Sequence, residues 1–189
     1  MIEGLNLTGA NGKKRRELDY YPTPPECTIA LMGFLALPRN TTIWEPACGN
    51  GAMAEVLQQY TDMPVVQTDI AEGFDFLDPE KHYRVDCDAI ITNPPFNLSE
   101  QFIRLALEKA KIVAMLLKSQ YWHARKRSHL FYQHRPAHIL PLTWRPDFRG
   151  GELGGSPTME VAWTVWIAGR YNTEYRPLLR PEALDMSDL

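Results

Sequence analysis

No run of apolar residues in this 189-residue chain approaches the roughly 20 needed for a helix to cross a bilayer, so no membrane span is expected. The opening stretch MIEGLNLTGANGKKRRELD lacks the apolar centre of a secretory signal peptide, and the expectation is a soluble, cytoplasmic protein. Cysteine is scarce. Cys27, Cys48 and Cys87 form no CxxC pair and have too few histidines near them for a zinc site, so neither a disulfide framework nor a metal centre is expected. The three thiols read as reduced packing residues. No internal repeat or low-complexity segment occurs, and 44% hydrophobic residues over this length suit one sizeable core in one domain.

Net charge, at -3, points to no polyanionic partner. Its distribution does. Between Glu108 and Asp147 no acidic residue occurs, while Lys109, Lys111, Lys118, Arg125, Lys126, Arg127, Arg135 and Arg145 alternate with histidines and with Tyr121, Trp122, Phe131, Tyr132 and Trp144. A second basic cluster spans Lys13 to Arg16. A single charge run is ordinarily a solvated helix face. A long acid-free window with interleaved aromatics suits nucleic acid better, because cations meet phosphates while rings stack on bases.

Strand-like and helix-like pieces alternate along the chain. PTPPECTIALMGFLAL reads as a helix opened by proline and running to about Leu35. A strand at Thr42 to Trp44, a glycine-rich turn and a helix near Ala52 to Gln59 follow. MPVVQTDI and DAIIT read as buried strands, and Asn97 and Ser99 are candidate caps for the helix EQFIRLALEKA. IVAMLL, HILPL and EVAWTVWIA read as further strands, with an irregular tail from about Tyr171. This alternation predicts an open α/β sheet with helices on both faces.

Chemistry concentrates in two places. In IWEPACGNGAMAE, Gly49, Gly51 and Ala54 have the GxGxxA spacing that lets a strand-to-helix turn approach a nucleotide-like ligand. Asp69 ends the next strand, where an acid can accept hydrogen bonds from a ribose diol, without deciding between NAD and another adenosine compound. The second place is ITNPPFNL, Ile91 to Leu98, where an amide, two prolines and an aromatic ring follow a buried strand.

EPACGNG, TDI, DFL and NPPF, in this order, resemble the motifs of the amino-group DNA methyltransferases, specifically the adenine-N6 group, over about Asp19 to Gly169. YYPTPPE, Tyr20 to Glu26, is similar to the segment that precedes the first strand in members whose cofactor motifs come first. The resemblance implies S-adenosyl-L-methionine as cofactor. It implies that Glu45, Pro46, Ala47, Gly49 and Gly51 line its methionine end, that Asp69 and Ile70 meet the ribose, that Asp75 and Phe76 hold the adenine, and that Thr23 and Pro24 border the carboxylate. It assigns Asn93, Pro94, Pro95 and Phe96 to the reaction. An exocyclic amine on a base is a poor nucleophile, because its lone pair is delocalised into the ring. The Asn93 side-chain oxygen and the Pro94 carbonyl can each accept from that amine and aim its lone pair at the methyl group, while Phe96 offers a stacking face to a base flipped from its helix.

These readings together give a Rossmann-like class I methyltransferase with a mostly parallel seven-stranded sheet, its final strand antiparallel, and helices on both faces. Residues 1–19 are expected as a leader, 20–170 as the methyltransferase domain and 171–189 as a tail. The substrate implied is adenine in DNA. The alternatives are adenine in RNA, glutamine in a protein, or a non-catalytic cofactor-binding subunit; an NAD oxidoreductase lacks an evident proton-transfer partner. With no separate recognition domain expected, selectivity falls to short loops, an accessory partner or a homodimer. The expected nucleic-acid contacts are Lys118, Tyr121, Trp122, Arg125, Lys126 and Arg127, with Trp144 and Phe148 from the loop TWRPDFRGGELGGSPTME. A chain this compact resembles phage enzymes, which places it in a bacterial or phage-infected cell.

Overall fold

The computed structural model describes residues 22–148 and 158–181. The expected leader, the Lys13 to Arg16 cluster, part of the Thr143 to Glu160 loop and the end of the expected tail lie outside these residues.

Seven strands form one sheet: β1 (Ile43–Glu45), β2 (Val66–Gln67), β3 (Ala89–Thr92), β4 (Ile112–Lys118), β5 (His138–Pro141), β6 (Val161–Ile167) and β7 (Glu174–Tyr175). Their order is β2-β1-β3-β4-β6-β5-β7. The first four in that order are mutually parallel. β6 runs antiparallel to both β4 and β5, and β7 pairs parallel with β5. The Rossmann-like α/β expectation therefore holds, and β6, the last strand expected from the sequence, is antiparallel; the difference is a further strand, β7, which pairs parallel with β5. β7 lies in the stretch expected to be irregular. Its two exposed residues carry no hydrophobic pattern, and backbone bonds from Glu174 N–H to Ala137 O and from Arg176 N–H to Ile139 O hold it.

Among the described residues, five α-helices cover the sheet: α1 (Pro25–Leu35), α2 (Ala52–Gln58), α3 (Pro79–His82), α4 (Ser99–Lys109) and α5 (Ser128–Gln133). α1 begins on proline, whose missing N–H is one the first turn leaves unpaired anyway. Strand residues alternate between two cores. Ile43, Ile91, Ala114, Leu116, Trp163 and Val165 pack with α1 and α2, whereas Trp44, Ile90, Val113, Met115, Leu117 and Trp166 pack with Phe76, α4 and α5. Coverage on both faces explains why β3 and β4 read as continuous apolar runs. The three cysteines are free and buried, and burial pushes the Cys48 and Cys87 thiols up to about 11.

This topology puts the carboxyl ends of β1, β3, β4 and β5, with the start of β6, along one edge. No helix among the described residues is long and apolar enough to cross a membrane.

Candidate active site

The turn after β1 is built from backbone. Gly49 has φ 55° and Gly51 has φ 86°, the left-handed region that favours glycine. A side chain at Gly51 would also bring a Cβ to 3.0 Å from Gln67 Oε1. Thr68 N–H donates to the Glu45 carbonyl and Cys48 N–H to the Thr68 carbonyl, which carries the β1 to β2 pairing into the turn. Asp69 then latches it. Gly49 N–H donates to Asp69 Oδ2 at 2.9 Å and Ala71 N–H to Oδ1 at 2.8 Å, so both carboxylate oxygens are aimed and each keeps accepting capacity.

Glu45 closes the base of this turn, 2% exposed. Burial pushes its carboxyl up to about 8, partly offset by the Ala54 backbone N–H and reinforced by the Asp69 charge. Its Oε2 has no hydrogen-bond partner among the described residues. A buried acid with one unpaired oxygen is poised to receive a donor or cation.

Asn93 follows β3. Its Nδ2 donates to Thr23 Oγ1 at 3.1 Å, a bond that ties the turn to the start of α1 and leaves the amide oxygen as an acceptor. The Pro95 carbonyl is occupied by Leu98 N–H at 2.9 Å and by the Ser99 hydroxyl at 3.1 Å. Among the described residues the Pro94 carbonyl accepts no hydrogen bond, so it stays open beside Asn93. Ser99, expected as a helix cap, turns its hydroxyl back onto the Pro95 and Phe96 carbonyls, and α4 starts without a side-chain cap. The Lys118 ammonium sits 4.0 Å from the Phe96 ring centroid. One face of that ring carries a cation, which leaves the other for an apolar partner.

Both turns open into one cavity of about 640 Å³, the size of a small-molecule site. Of the residues singled out in the sequence, Thr23, Glu45, Ala47, Gly49, Asp69, Ile70, Asn93, Pro94, Pro95 and Phe96 line it. Pro24, Pro46, Gly51, Asp75 and Phe76 do not. Gly51 acts through its backbone shape, and Pro24 precedes α1 as its cap residue. Phe76 is 2% exposed and packs between Trp44 and Phe102, with ring centroids 5.1 and 4.7 Å away. Asp75 turns its carboxylate onto the Leu77 N–H of its own loop at 2.9 Å. The lining residues that sequence reasoning missed include Pro22, Asn50, Met53, Ala71 and Leu98. Each lies within four residues of a motif residue, the one signal that could have found it.

The residues expected to contact nucleic acid divide. Tyr121, 5% exposed, and Phe148, 6% exposed, are core residues and present no face for stacking. The Arg127 guanidinium lies 3.9 Å over the Tyr121 ring and donates to the Tyr121 carbonyl. Trp122 stacks on Phe131 at 4.0 Å, and Trp144 lines a separate cavity. Arg125 and Lys126 are exposed on a short 3-10 turn. Arg145 pairs with Glu160 at 2.7 Å, an acid from beyond the acid-free window.

The fold is that of the class I S-adenosylmethionine-dependent methyltransferases. The chain is similar in structure to the type I restriction-modification methyltransferase subunit from Streptococcus thermophilus, with TM-score 0.56, 12% identity and 83% of this chain covering 47% of that one. The M protein of the type I restriction enzyme EcoKI gives TM-score 0.57 at 14% identity, covering 83% of this chain and 48% of that chain. A dimethyladenosine transferase from Plasmodium falciparum gives 0.55 at 11%, covering 78% and 63%. The chain thus spans about half the length of the type I subunits it resembles. No protein-family model and no curated protein sequence matches it.

Proposed function

We propose that this chain transfers a methyl group from S-adenosyl-L-methionine to the N6 amino group of adenine in DNA. One observation carries the reading: the Asn93 amide oxygen, left free by the Thr23 bond, and the open Pro94 carbonyl line the same cavity as Asp69 and the glycine turn.

The cavity's residues fit the cofactor. Asp69, oriented by two backbone donors, suits a ribose diol, and the unpaired oxygen of buried Glu45 suits the cationic methionine end. The glycine turn leaves no Cβ at Gly51, where one would crowd Gln67. The bound cofactor supplies an electrophilic methyl group on a sulfonium. Asn93 and Pro94 would hold the substrate amine through its two N–H groups, directing its lone pair toward that methyl, so that the N–C bond would form as the carbon–sulfur bond breaks to leave a neutral thioether, and the amine would then release its proton to water. Phe96 offers its ring to the flipped base on the face away from Lys118. Arg125 and Lys126 contribute sequence-independent phosphate attraction. The chain's structural neighbours include subunits of type I restriction enzymes and a dimethyladenosine transferase, which supports nucleic acid as substrate and an accessory specificity partner. The proposed setting is the cytoplasm of a bacterial or phage-infected cell.

Nucleoside mass analysis of cells expressing the chain tests this. New N6-methyladenine in DNA is the expected result. Its appearance only in RNA, or in neither while methyl label enters protein, would overturn the DNA reading.

A further inference from the structure

The chain has five tryptophans, and three of their indole N–H groups are satisfied. Trp44 donates to Thr68 Oγ1, Trp163 to the Cys27 carbonyl and Trp166 to the His134 carbonyl, each at 2.9 Å. Trp122 and Trp144 differ. Their Nε1 atoms are inaccessible and without an acceptor among the described residues, and both side chains line one cavity of about 890 Å³, separate from the candidate active site. Buried donors normally find partners, so two unpaired ones on one cavity call for an explanation.

That cavity lies along the edge that carries the catalytic turn. Lys118, whose ammonium lies over Phe96, is followed by Ser119, which lines the cavity and bonds through its N–H to the Glu160 carbonyl at 2.9 Å. Ala162 of β6 and Ile139 of β5 also line it. These strands are two and three places from β3, about 10–15 Å at ordinary strand spacing. A stacked nucleic-acid strand covers that distance in a few steps of about 3.4 Å.

A second cavity, of about 670 Å³, shares Trp122 and Ile139 with the first. Three strongly exposed tyrosines stand on the pair: Tyr175 (69%) on the first, Tyr132 (76%) and Tyr171 (74%) on the second. Glu160 is the one carboxylate among the described lining residues, and Arg145 neutralises it at 2.7 Å. Arg135 has no acid left to offset it among the described lining residues. Exposed rings beside an unpaired cation make a stacking platform for nucleic-acid bases.

We propose that the two adjoining cavities form a groove for single-stranded nucleic acid, which stacks the bases beside the methylation target on these aromatic rings and draws their phosphates with Arg135. The groove rests on the proposed function for its substrate class. It deepens that reading by giving the chain a preference for unpaired strands. Bases within a duplex are already stacked on each other and leave the rings unused.

The test is anisotropy of a short labelled oligonucleotide, single-stranded or annealed, with the wild type and with Tyr132→Ser, Tyr171→Ser and Tyr175→Ser combined. All three side chains are exposed, so folding should be unaffected; a thermal melt checks this, and Arg135→Gln gives an independent variant. Single-strand binding should weaken about tenfold or more in the tyrosine variant, given the usual worth of stacking each base. Duplex and cofactor affinities should stay within about twofold. Equal single-strand affinity in wild type and tyrosine variant would overturn the groove. So would a wild type that binds no oligonucleotide, as expected if a protein segment were the occupant. Methyl transfer measured on the same proteins separates the two ideas. Tyrosine-dependent binding without methylation of DNA or RNA would refute the proposed function and keep the groove, whereas methylation of single strands at the wild-type rate by the tyrosine variant would refute the groove alone.

Discussion

The Asn93 side-chain amide donates to the buried Thr23 hydroxyl at 3.1 Å, so a residue 70 positions earlier in the chain fixes which end of that amide faces the cavity. With the NH2 group engaged, the oxygen is the end left to accept from an amine. Thr23 thus orients the Asn93 amide as well as lining the same cavity.

Loss of that hydrogen bond should appear in the chemical step. Thr23→Val should lower kcat at saturating cofactor by about tenfold to a hundredfold, the usual cost of a misplaced reacting group, and Thr23→Ser should restore it. Asn93→Ala should abolish transfer while keeping cofactor binding. Radiolabel transfer and calorimetry check both. A Thr23→Val effect confined to the cofactor KM would show that Thr23 serves the cofactor alone.

Glu45 predicts a pH signature. Burial raises its carboxyl from 4.5 to about 8, so between these values the folded chain holds a proton that the unfolded chain has released. Stability from this group is therefore fully present below about pH 4.5 and is lost as pH rises towards 8. Denaturant melts across that window should show the fall, and Glu45→Gln should flatten it. A cationic ligand at the carboxylate would ionise it, so cofactor binding at pH 7 should release a proton, measurable by calorimetry in buffers of different ionisation enthalpy.

Gly51→Ala should destabilise the fold by about 1–2 kcal/mol, because a left-handed backbone costs an L-residue that much. The near contact with Gln67 is with the end of a flexible side chain, which can move. Adding Gln67→Ala should therefore recover little of the loss. Chemical denaturation of the single and double variants checks this, and full recovery would assign the cost to the contact instead.

Salt dependence should count the cations that are available. Duplex binding should fall with a log-log slope of roughly -0.9 per phosphate neutralised. Of Arg125, Lys126 and Arg127, the last is held over Tyr121 and bonded to its carbonyl. Neutralising all three should thus flatten the slope by about two phosphate equivalents. Titration at several salt concentrations measures it, and an unaltered slope would make this turn a solvated surface only.

The sequence by itself determined what depends on a residue's own chemistry or on neighbours a few positions away. The need for positive φ at Gly51, the open turn after Asn93, the acid at Asp69 and the doubly buried runs of β3 and β4 are local properties, and they were legible together with the alternating α/β pattern. Exposure and pairing across the chain were decided only in three dimensions. Phe76, Tyr121 and Phe148 look in sequence like any aromatic residues near a site, and packing against α4, the sheet and α1 drew them into the core. β7 depends on backbone bonds to β5 that no side-chain pattern encodes. The Thr23 to Asn93 bond, the Lys118 to Phe96 contact and the two unpaired indoles on one cavity likewise arise because strand order brings distant residues to a common edge. That order is set by the burial of the whole sheet between its helices, a collective energy to which no short segment contributes enough to be read alone.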